Sequence, residues 1–340
     1  MKQMHYFLNQ LIAQRDLDRE QMLALMHAVM NGEVAPALIA GLLVALRCKG
    51  ESVVELAAAA EVMRSLSLKV PLTQTQNLVD TCGTGGDGTH TFNISTAAAL
   101  TAAAAGARVA KHGGRSVSST SGSADVLEAL GVKVSLSAEQ VANCVDEIGI
   151  GFMFAPTHHS AMRHAAPVRR ELGVRTIFNL LGPLTNPANA PNQVVGVYAQ
   201  PLTVKLAQVM QCLGSSHVLV VHGADGIDEL SLGGISHIAE LKDGVITEMT
   251  VTPERFGLLR TPSTEFVVNS VDSSRDMLLA ALRNEHRAAS DIVALNAGAA
   301  IYAAGSASTL AQGVALAQQA IRSGSALRKL DQLIEYTAHV

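Results

Sequence analysis

Asp80-Thr-Cys-Gly-Thr-Gly-Gly-Asp-Gly-Thr-His-Thr-Phe-Asn-Ile-Ser-Thr96 is the stretch from which the architecture can be read. The apolar pair Leu78-Val79 leads into a loop holding Gly83, Gly85, Gly86 and Gly88. Asn93-Ile-Ser-Thr96 follows and opens an alanine-rich run. That order predicts a strand, a bare-backbone loop and the start of a helix. Glycines let backbone N–H groups approach an anion. The first turn of a helix adds unpaired N–H groups and the positive end of its dipole. The junction therefore predicts a phosphate-bearing ligand.

Downstream of this stretch, short apolar runs alternate with helical patterns. Strands are predicted at Arg108 to Lys111, Val132 to Leu136, Gly151 to Phe154, Val194 to Tyr198 and His217 to Val221. Helices are predicted near 123–130, 138–148, 202–213 and 275–284. Such alternation predicts an α/β fold with a central, mostly parallel sheet flanked by helices. Upstream the texture is all-helical. Apolar residues recur at helical spacing through Phe7, Leu8, Leu11, Ile12 and again through Met22 to Val29, with Asp18 and Gln21 as a capping box. Further helices are predicted at Ala37 to Cys48 and Val53 to Leu66, with a linker at Pro71 to Gln76. The expected division is a small helical domain over 1–72, completed by about 158–186, and a larger α/β domain over 77–157 and 187–340.

Composition narrows the function. The 340 residues are 48% hydrophobic, enough for a sizeable core. Lys and Arg number 25 against 29 Asp and Glu, a net charge of −4 that argues against nucleic acid as a partner. No apolar run approaches the roughly 20 residues that span a bilayer. The N-terminus lacks a signal pattern, and Cys48, Cys82, Cys144 and Cys212 are widely spaced. Reduced thiols and a cytoplasmic location are expected.

Gly83-Thr-Gly-Gly-Asp-Gly88 satisfies G-x-G-x-x-G, a weak signal by itself. A dinucleotide site expects an acidic residue about 20 positions on. Here the next strand ends in the basic Lys111-His-Gly-Gly-Arg115. A P-loop expects Gly-Lys-Ser/Thr, which is missing. Lys111 to Ser123 instead offers two cations, three glycines and many hydroxyls, a second anion cradle with Ser118, Ser119 and Ser123 as donors. Asp228-Glu229 follows a predicted strand in a glycine-containing loop, and paired carboxylates of this kind suit Mg²⁺. Of the arginines between Arg163 and Arg175, a solvated helix face is the plain expectation.

These motifs resemble the anthranilate phosphoribosyltransferase family. The likeness rests on Gly83-Thr-Gly-Gly-Asp87, Asn93-Ile-Ser-Thr96, Lys111-His-Gly with Arg115, Ser121 to Glu128, Arg163 to Asn186 and Asp228-Glu229, in family order over essentially the full length. The resemblance implies a homodimer whose site lies between the two domains. It implies phosphoribosyl pyrophosphate over Gly83, Gly86, Asp87, Thr91, Asn93, Ile94, Ser95 and Thr96. The other side of that donor would meet Lys111, His112, Gly113, Gly114, Arg115, Ser118, Ser119 and Ser123. It implies Mg²⁺ on Ser95, Asp228 and Glu229, and anthranilate near Gly83, Gly114, His159, Arg169 and Pro183. Catalysis would be electrostatic, with Lys111 acting on the departing charge and no protein nucleophile or general base. Two positions depart from the family pattern: Gly114 stands where Asn is usual, and Ser160 where Pro is usual. A pyrimidine nucleoside phosphorylase and a non-catalytic, nucleic-acid-binding relative are the alternatives. The first needs no paired metal carboxylates, and the second predicts a basic surface.

Overall fold

A computed structural model describes residues 2–116 and 120–340; Ser118 and Ser119 lie outside the described residues. Four helices come first: α1 (Lys2–Ile12), α2 (Arg19–Met30), α3 (Pro36–Lys49) and α4 (Val53–Leu66). Asp18 and Ser52 each cap through their side chains, with Gln21 and Glu55 answering three residues later. The chain then runs through β1 (Leu78–Gly83), α5 (Ile94–Ala104), β2 (Arg108–Gly113), α6 (Ser123–Ala129), α7 (Ala138–Ile148) and β3 (Ile150–Phe154). Three short helices follow, α8 (Ala155–His158), α9 (Ala166–Leu172) and α10 (Ile177–Leu181). Then come β4 (Asn192–Gly196), α11 (Leu202–Cys212), β5 (His217–Gly223), β6 (Ser236–Lys242) and β7 (Val245–Val251). Four helices close the chain: α12 (Val271–Leu282), α13 (Arg287–Ala303), α14 (Leu310–Arg322) and α15 (Ser325–Ala338).

The seven strands form one sheet in the order β3-β2-β1-β4-β5-β6-β7. The first five run parallel, and β6 and β7 add an antiparallel edge. Both faces are covered. Alternate residues of β5 point to opposite cores: Leu219 and Val221 pack with α5, α13 and α15, while Val218 and Val220 pack with α11 and the N-terminal helices. The alanine run of α5 is buried almost throughout, since small side chains let α13 and α15 approach closely. After β3 the chain returns to the helical bundle. Ala165, Val168, Ile177, Leu180 and Leu181 share its core, and α9 and α10 contact α3 and α4.

Two expectations need correction. Val132 to Leu136 forms no strand. Val132, Val134 and Leu136 are buried and alternate with exposed residues, so the period-2 pattern is real, but no neighbouring strand pairs with it. The hairpin of β6 and β7 adds two strands beyond those that the spacing predicts. Its turn, Asp243-Gly244, has φ of 51° and 76°, the two positive values of a type I′ turn. That dipeptide was the available signal.

Sheet order reverses at β1 and β4: the chain builds toward β2 and β3 on one side, then restarts at β4 on the other. In open α/β sheets the crevice beyond such a switch point, at the carboxyl ends of the strands, is where ligands bind.

Candidate active site

The crevice at the switch point is bare because its two strands end in glycine. Gly83 ends β1 and pairs with Gly196 at the end of β4. Neither needs a positive φ; both are needed for close approach. A Cβ on Gly196 would lie 1.6 Å from the Asp228 carbonyl oxygen, and one on Gly83 would lie 2.3 Å from Asp228 Oδ2. The absent side chains let Asp228 lie across the strand ends. There its Oδ2 accepts a hydrogen bond from Gly85 N–H at 2.9 Å, and its own N–H donates to Asp87 Oδ2 at 3.3 Å.

Beside this lies the start of α5. The Asn93 side chain does not cap it. Asn93 Oδ1 instead accepts from Ser121 Oγ at 2.9 Å and Ser274 Oγ at 2.7 Å, and Asn93 Nδ2 donates to the Ser121 carbonyl at 3.1 Å. The Ser95 N–H is bonded to Glu229. From β2 comes Lys111, 3% exposed, with Nζ donating to the Thr81 carbonyl and to Ser95 Oγ at 3.3 Å. Asp80 lies beneath, fully buried. It accepts from His112 N–H at 3.1 Å and Asn186 Nδ2 at 2.7 Å, tying β1 to β2 and to the loop after α10.

Three carboxylates, Asp87, Asp228 and Glu229, therefore lie close enough to repel one another. Burial, then the neighbouring Asp87, push Asp228 up to about 7; burial, then Asp228, push Glu229 well above the usual range. The cavity reaches both side chains, but protein encloses them elsewhere. A cation would relieve this repulsion. Among the described residues no group of three His, Cys, Asp or Glu forms a ready-made metal cage. Two carboxylates and a hydroxyl fit Mg²⁺ better than a cage-bound metal, because Mg²⁺ keeps waters and takes other oxygens from a phosphate substrate.

These groups line one cavity of about 360 Å³. It gathers Gly83, Gly86, Asn93, Ser95, Lys111, His112, Gly113, Gly114, Arg115, Ser123, Arg169, Pro183, Asp228 and Glu229 from the predicted set. Asp87, Thr91, Ile94, Thr96 and His159 are not on its wall. Asp87 stands behind Asp228 and accepts from Thr89 Oγ1 at 2.5 Å. Thr91 bridges to Val267, and the Ile94 and Thr96 side chains are buried. His159 lies behind His112, the rings tilted by 59° with centroids 5.0 Å apart. Burial holds His112 well below the usual histidine range and His159 down to about 4. Both rings are neutral at pH 7, and each keeps a buried Nε2 with no partner.

The far wall belongs to the helical side. Arg169 of α9 lies 5.2 Å over the Phe178 ring of α10, makes no side-chain hydrogen bond to a described residue, and has its pKa lowered by burial. An unpaired, half-buried guanidinium against an aromatic face is a receptor for a planar carboxylate. Arg115, by contrast, is already held by Asp125 at 3.0 Å and Glu128 at 2.6 Å. Among the described residues a Cβ on Gly114 would meet only Ala155 Cβ, at 3.8 Å. Arg175 escaped sequence reasoning. α9 ends at Gly173, so Arg175 is not on the helix face expected of it; its guanidinium bonds the Gly86 carbonyl and lies 4.1 Å over the Tyr198 ring.

Residues 75–327 match the α/β domain of a glycosyl transferase family, and residues 6–67 match that family's helical bundle domain. The anthranilate phosphoribosyltransferase of Thiobacillus denitrificans is 61% identical over 330 residues, covering 97% of this chain and 96% of the relative. Among solved structures, the anthranilate phosphoribosyltransferase of Thermus thermophilus superposes with a TM-score of 0.92 at 44% identity, covering 98% of this chain and 99% of that one. The Saccharomyces cerevisiae enzyme in complex with phosphoribosyl pyrophosphate and Mg shares the fold, with a TM-score of 0.90 at 24% identity over 99% of this chain and 98% of that one.

Proposed function

The chain belongs to the anthranilate phosphoribosyltransferase family, and from this we infer how its cavity performs that family's reaction. The enzyme transfers the 5-phosphoribosyl group of phosphoribosyl pyrophosphate to the amine of anthranilate and releases pyrophosphate, with Mg²⁺, in tryptophan biosynthesis. The observation that carries the assignment of roles is the gathering of Asp228, Glu229, Lys111 and Ser95 in one cavity at the start of α5.

The donor's pyrophosphate and ribose phosphate lie between the Gly83–Gly86 loop, the Asn93–Ser95 turn and the Lys111–Ser123 segment. Asp228, Glu229 and Ser95 hold Mg²⁺, which neutralises the pyrophosphate as it departs. The acceptor enters beside Arg169, whose free guanidinium takes the carboxylate while Phe178 and Pro183 flank the ring. Its arylamine is neutral and already nucleophilic, so the barrier lies in separating charge at C1 of the ribose. Lys111, held by the Thr81 carbonyl and Ser95 Oγ at the start of α5, is fixed before the reaction beside that charge. His112 and His159, neutral, line and back the acceptor's approach. Asp87 acts on Asp228 from behind, and Thr91, Ile94 and Thr96 contribute through the backbone turn that opens α5. The domain division follows the same lines: 1–72 with about 158–186 carries the acceptor wall, and 77–157 with 187–340 carries the donor.

Two copies associate in the cytoplasm. Exposed Tyr6 (54%) and Ile12 (62%) of α1 and Val44 (37%) of α3 support pairing through that face, and no helix among the described residues is long and apolar enough to cross a membrane. Sedimentation at micromolar concentration tests the dimer. Incubation with anthranilate, phosphoribosyl pyrophosphate and Mg²⁺ tests the activity: anthranilate fluorescence should fall and pyrophosphate should appear in equal amount. No loss over a wide enzyme range refutes the reading.

A further inference from the structure

Arg175 sits in the short link between α9 and α10, outside the cavity, yet it touches the most conformationally demanding part of the donor loop. Gly85 and Gly86 have φ of 63° and 72° in succession, a backbone region that other residues avoid. Nothing in regular secondary structure holds the Gly86 carbonyl. Arg175 Nη2 donates to it. The guanidinium lies 4.1 Å over the Tyr198 ring, and Tyr198 N–H in turn donates to Thr84 Oγ1 at 3.3 Å, in the same loop. From the other side, Arg47 of α3 donates Nη1 to the Arg175 carbonyl. The result is a chain of contacts from the helical bundle, through residue 175, to both ends of Thr84-Gly-Gly86.

We propose that Arg175 is a positioning residue for the transfer: it locks the donor's glycine loop to the segment that carries Arg169 and Phe178. In a planar trans peptide the carbonyl and the following N–H point in opposite directions. Holding the Gly86 carbonyl on the Arg175 side therefore aims the Asp87 N–H away from it and sets the curvature of the loop. Arg175 lies between Arg169 and Phe178 in sequence. A single side chain thus couples the acceptor wall to the donor loop across the crevice, and keeps C1 of the donor within reach of the amine. Geometry of this kind governs rate and affinity even when the residue touches neither substrate. The inference rests on the glycine loop being the donor site.

The test is steady-state kinetics and melting of Arg175→Met, Arg175→Lys and Arg47→Met. Met keeps a stem over Tyr198 but has no donor. The donor KM should rise on the order of tenfold, the scale of one lost hydrogen bond from a charged group, with kcat changed less and the melting temperature nearly kept. Lys, which can still donate, should recover part of the loss. Arg47→Met should shift the donor KM the same way by a smaller factor. A donor KM within twofold of wild type in Arg175→Met overturns the proposal. So does a fall in kcat and melting temperature at unchanged KM, or a Lys variant no better than Met. Wild-type enzyme that fails to consume anthranilate would remove the underlying reading as well; wild-type turnover with unchanged variants removes this inference alone.

Discussion

Gly83→Ala isolates the placement of Asp228 from the stability of the fold. The new Cβ would lie 2.3 Å from Asp228 Oδ2 and 3.0 Å from Cγ, where ordinary contact begins near 3.4 Å, so the carboxylate must retreat by about 1 Å. It can do so by side-chain rotation, because only the far end of the side chain is in the way. The retreat removes the hydrogen bond from Gly85 N–H, at 2.9 Å, worth about 1–2 kcal/mol. For a chain this long that is a fall of only a few degrees in melting temperature. Function should suffer more. Moving one metal-side carboxylate by 1 Å should weaken Mg²⁺ binding at least about tenfold, the lower end of what disturbing the surroundings of a metal site costs. Gly196→Ala is the contrast. Its Cβ would meet the Asp228 carbonyl oxygen at 1.6 Å, a backbone atom that cannot rotate away. Overpacking of that kind costs about 1–3 kcal/mol or more and should lower the melting temperature clearly. The assay is activity against Mg²⁺ at saturating donor, Mg²⁺ titration by calorimetry, and thermal melts. A Gly83→Ala enzyme with wild-type Mg²⁺ dependence would refute the reasoning, since Asp228 could then be moved without consequence.

Arg169→Met should raise the KM for anthranilate by about tenfold or more, as loss of a charged carboxylate contact does, and leave the donor KM nearly unchanged; equal effects on both KM values would count against the acceptor role. Gly114→Asn should fold normally, since among the described residues only Ala155 stands near, and should lower the anthranilate KM severalfold by one added hydrogen bond; an unchanged or raised KM would show that the position does not face the acceptor. Glu229→Gln should weaken Mg²⁺ binding in calorimetry while leaving anthranilate-analogue binding intact. For pH, the folded Asp228 titrates near 7, above its unfolded value. Its contribution to stability is therefore present below the unfolded carboxylate pKa and lost as pH rises through 7. Metal-free enzyme should melt lower at pH 8 than at pH 6, Asp228→Asn should reduce that difference, and Mg²⁺ should stabilise more at pH 8. Melting curves with and without Mg²⁺ check all three.

What the sequence could disclose was local. The capping box at Asp18, the stops after α2 and α3, and the strand–loop–helix order at Gly83 are decided within a few residues, so spacing reveals them. Val132 to Leu136 shows the limit. Alternation records which side chains are buried, and these are, but a strand also needs a neighbour to pair with, and that depends on distant chain. The site divides the same way. The glycine loop, Lys111 and Asp228-Glu229 are legible because each is a concentrated anomaly of composition. Arg175 is not, because its meaning lies in a carbonyl 89 residues upstream and in a ring from the end of a different strand.

The glycines of the site answer a different demand from the one a loop motif suggests. Gly85 and Gly86 supply turns, but Gly83 and Gly196 have ordinary φ and are bare because Asp228 occupies the volume a methyl group would take. Gly83 seats the carboxylate and Gly196 the main-chain carbonyl, so the position of Asp228 is set by two strands of the sheet. That placement has a cost visible in its own titration: burial and the nearby Asp87 push Asp228 to about 7, leaving it only partly ionised at neutral pH without a cation. A cation that lowers this pKa must release protons on binding. Calorimetric Mg²⁺ titrations at pH 7 in two buffers of different ionisation enthalpy should therefore give different apparent heats. The release from Asp228 should approach zero at pH 9, where that carboxylate is already ionised. Identical heats in both buffers at pH 7 would mean that the cation does not meet this carboxylate.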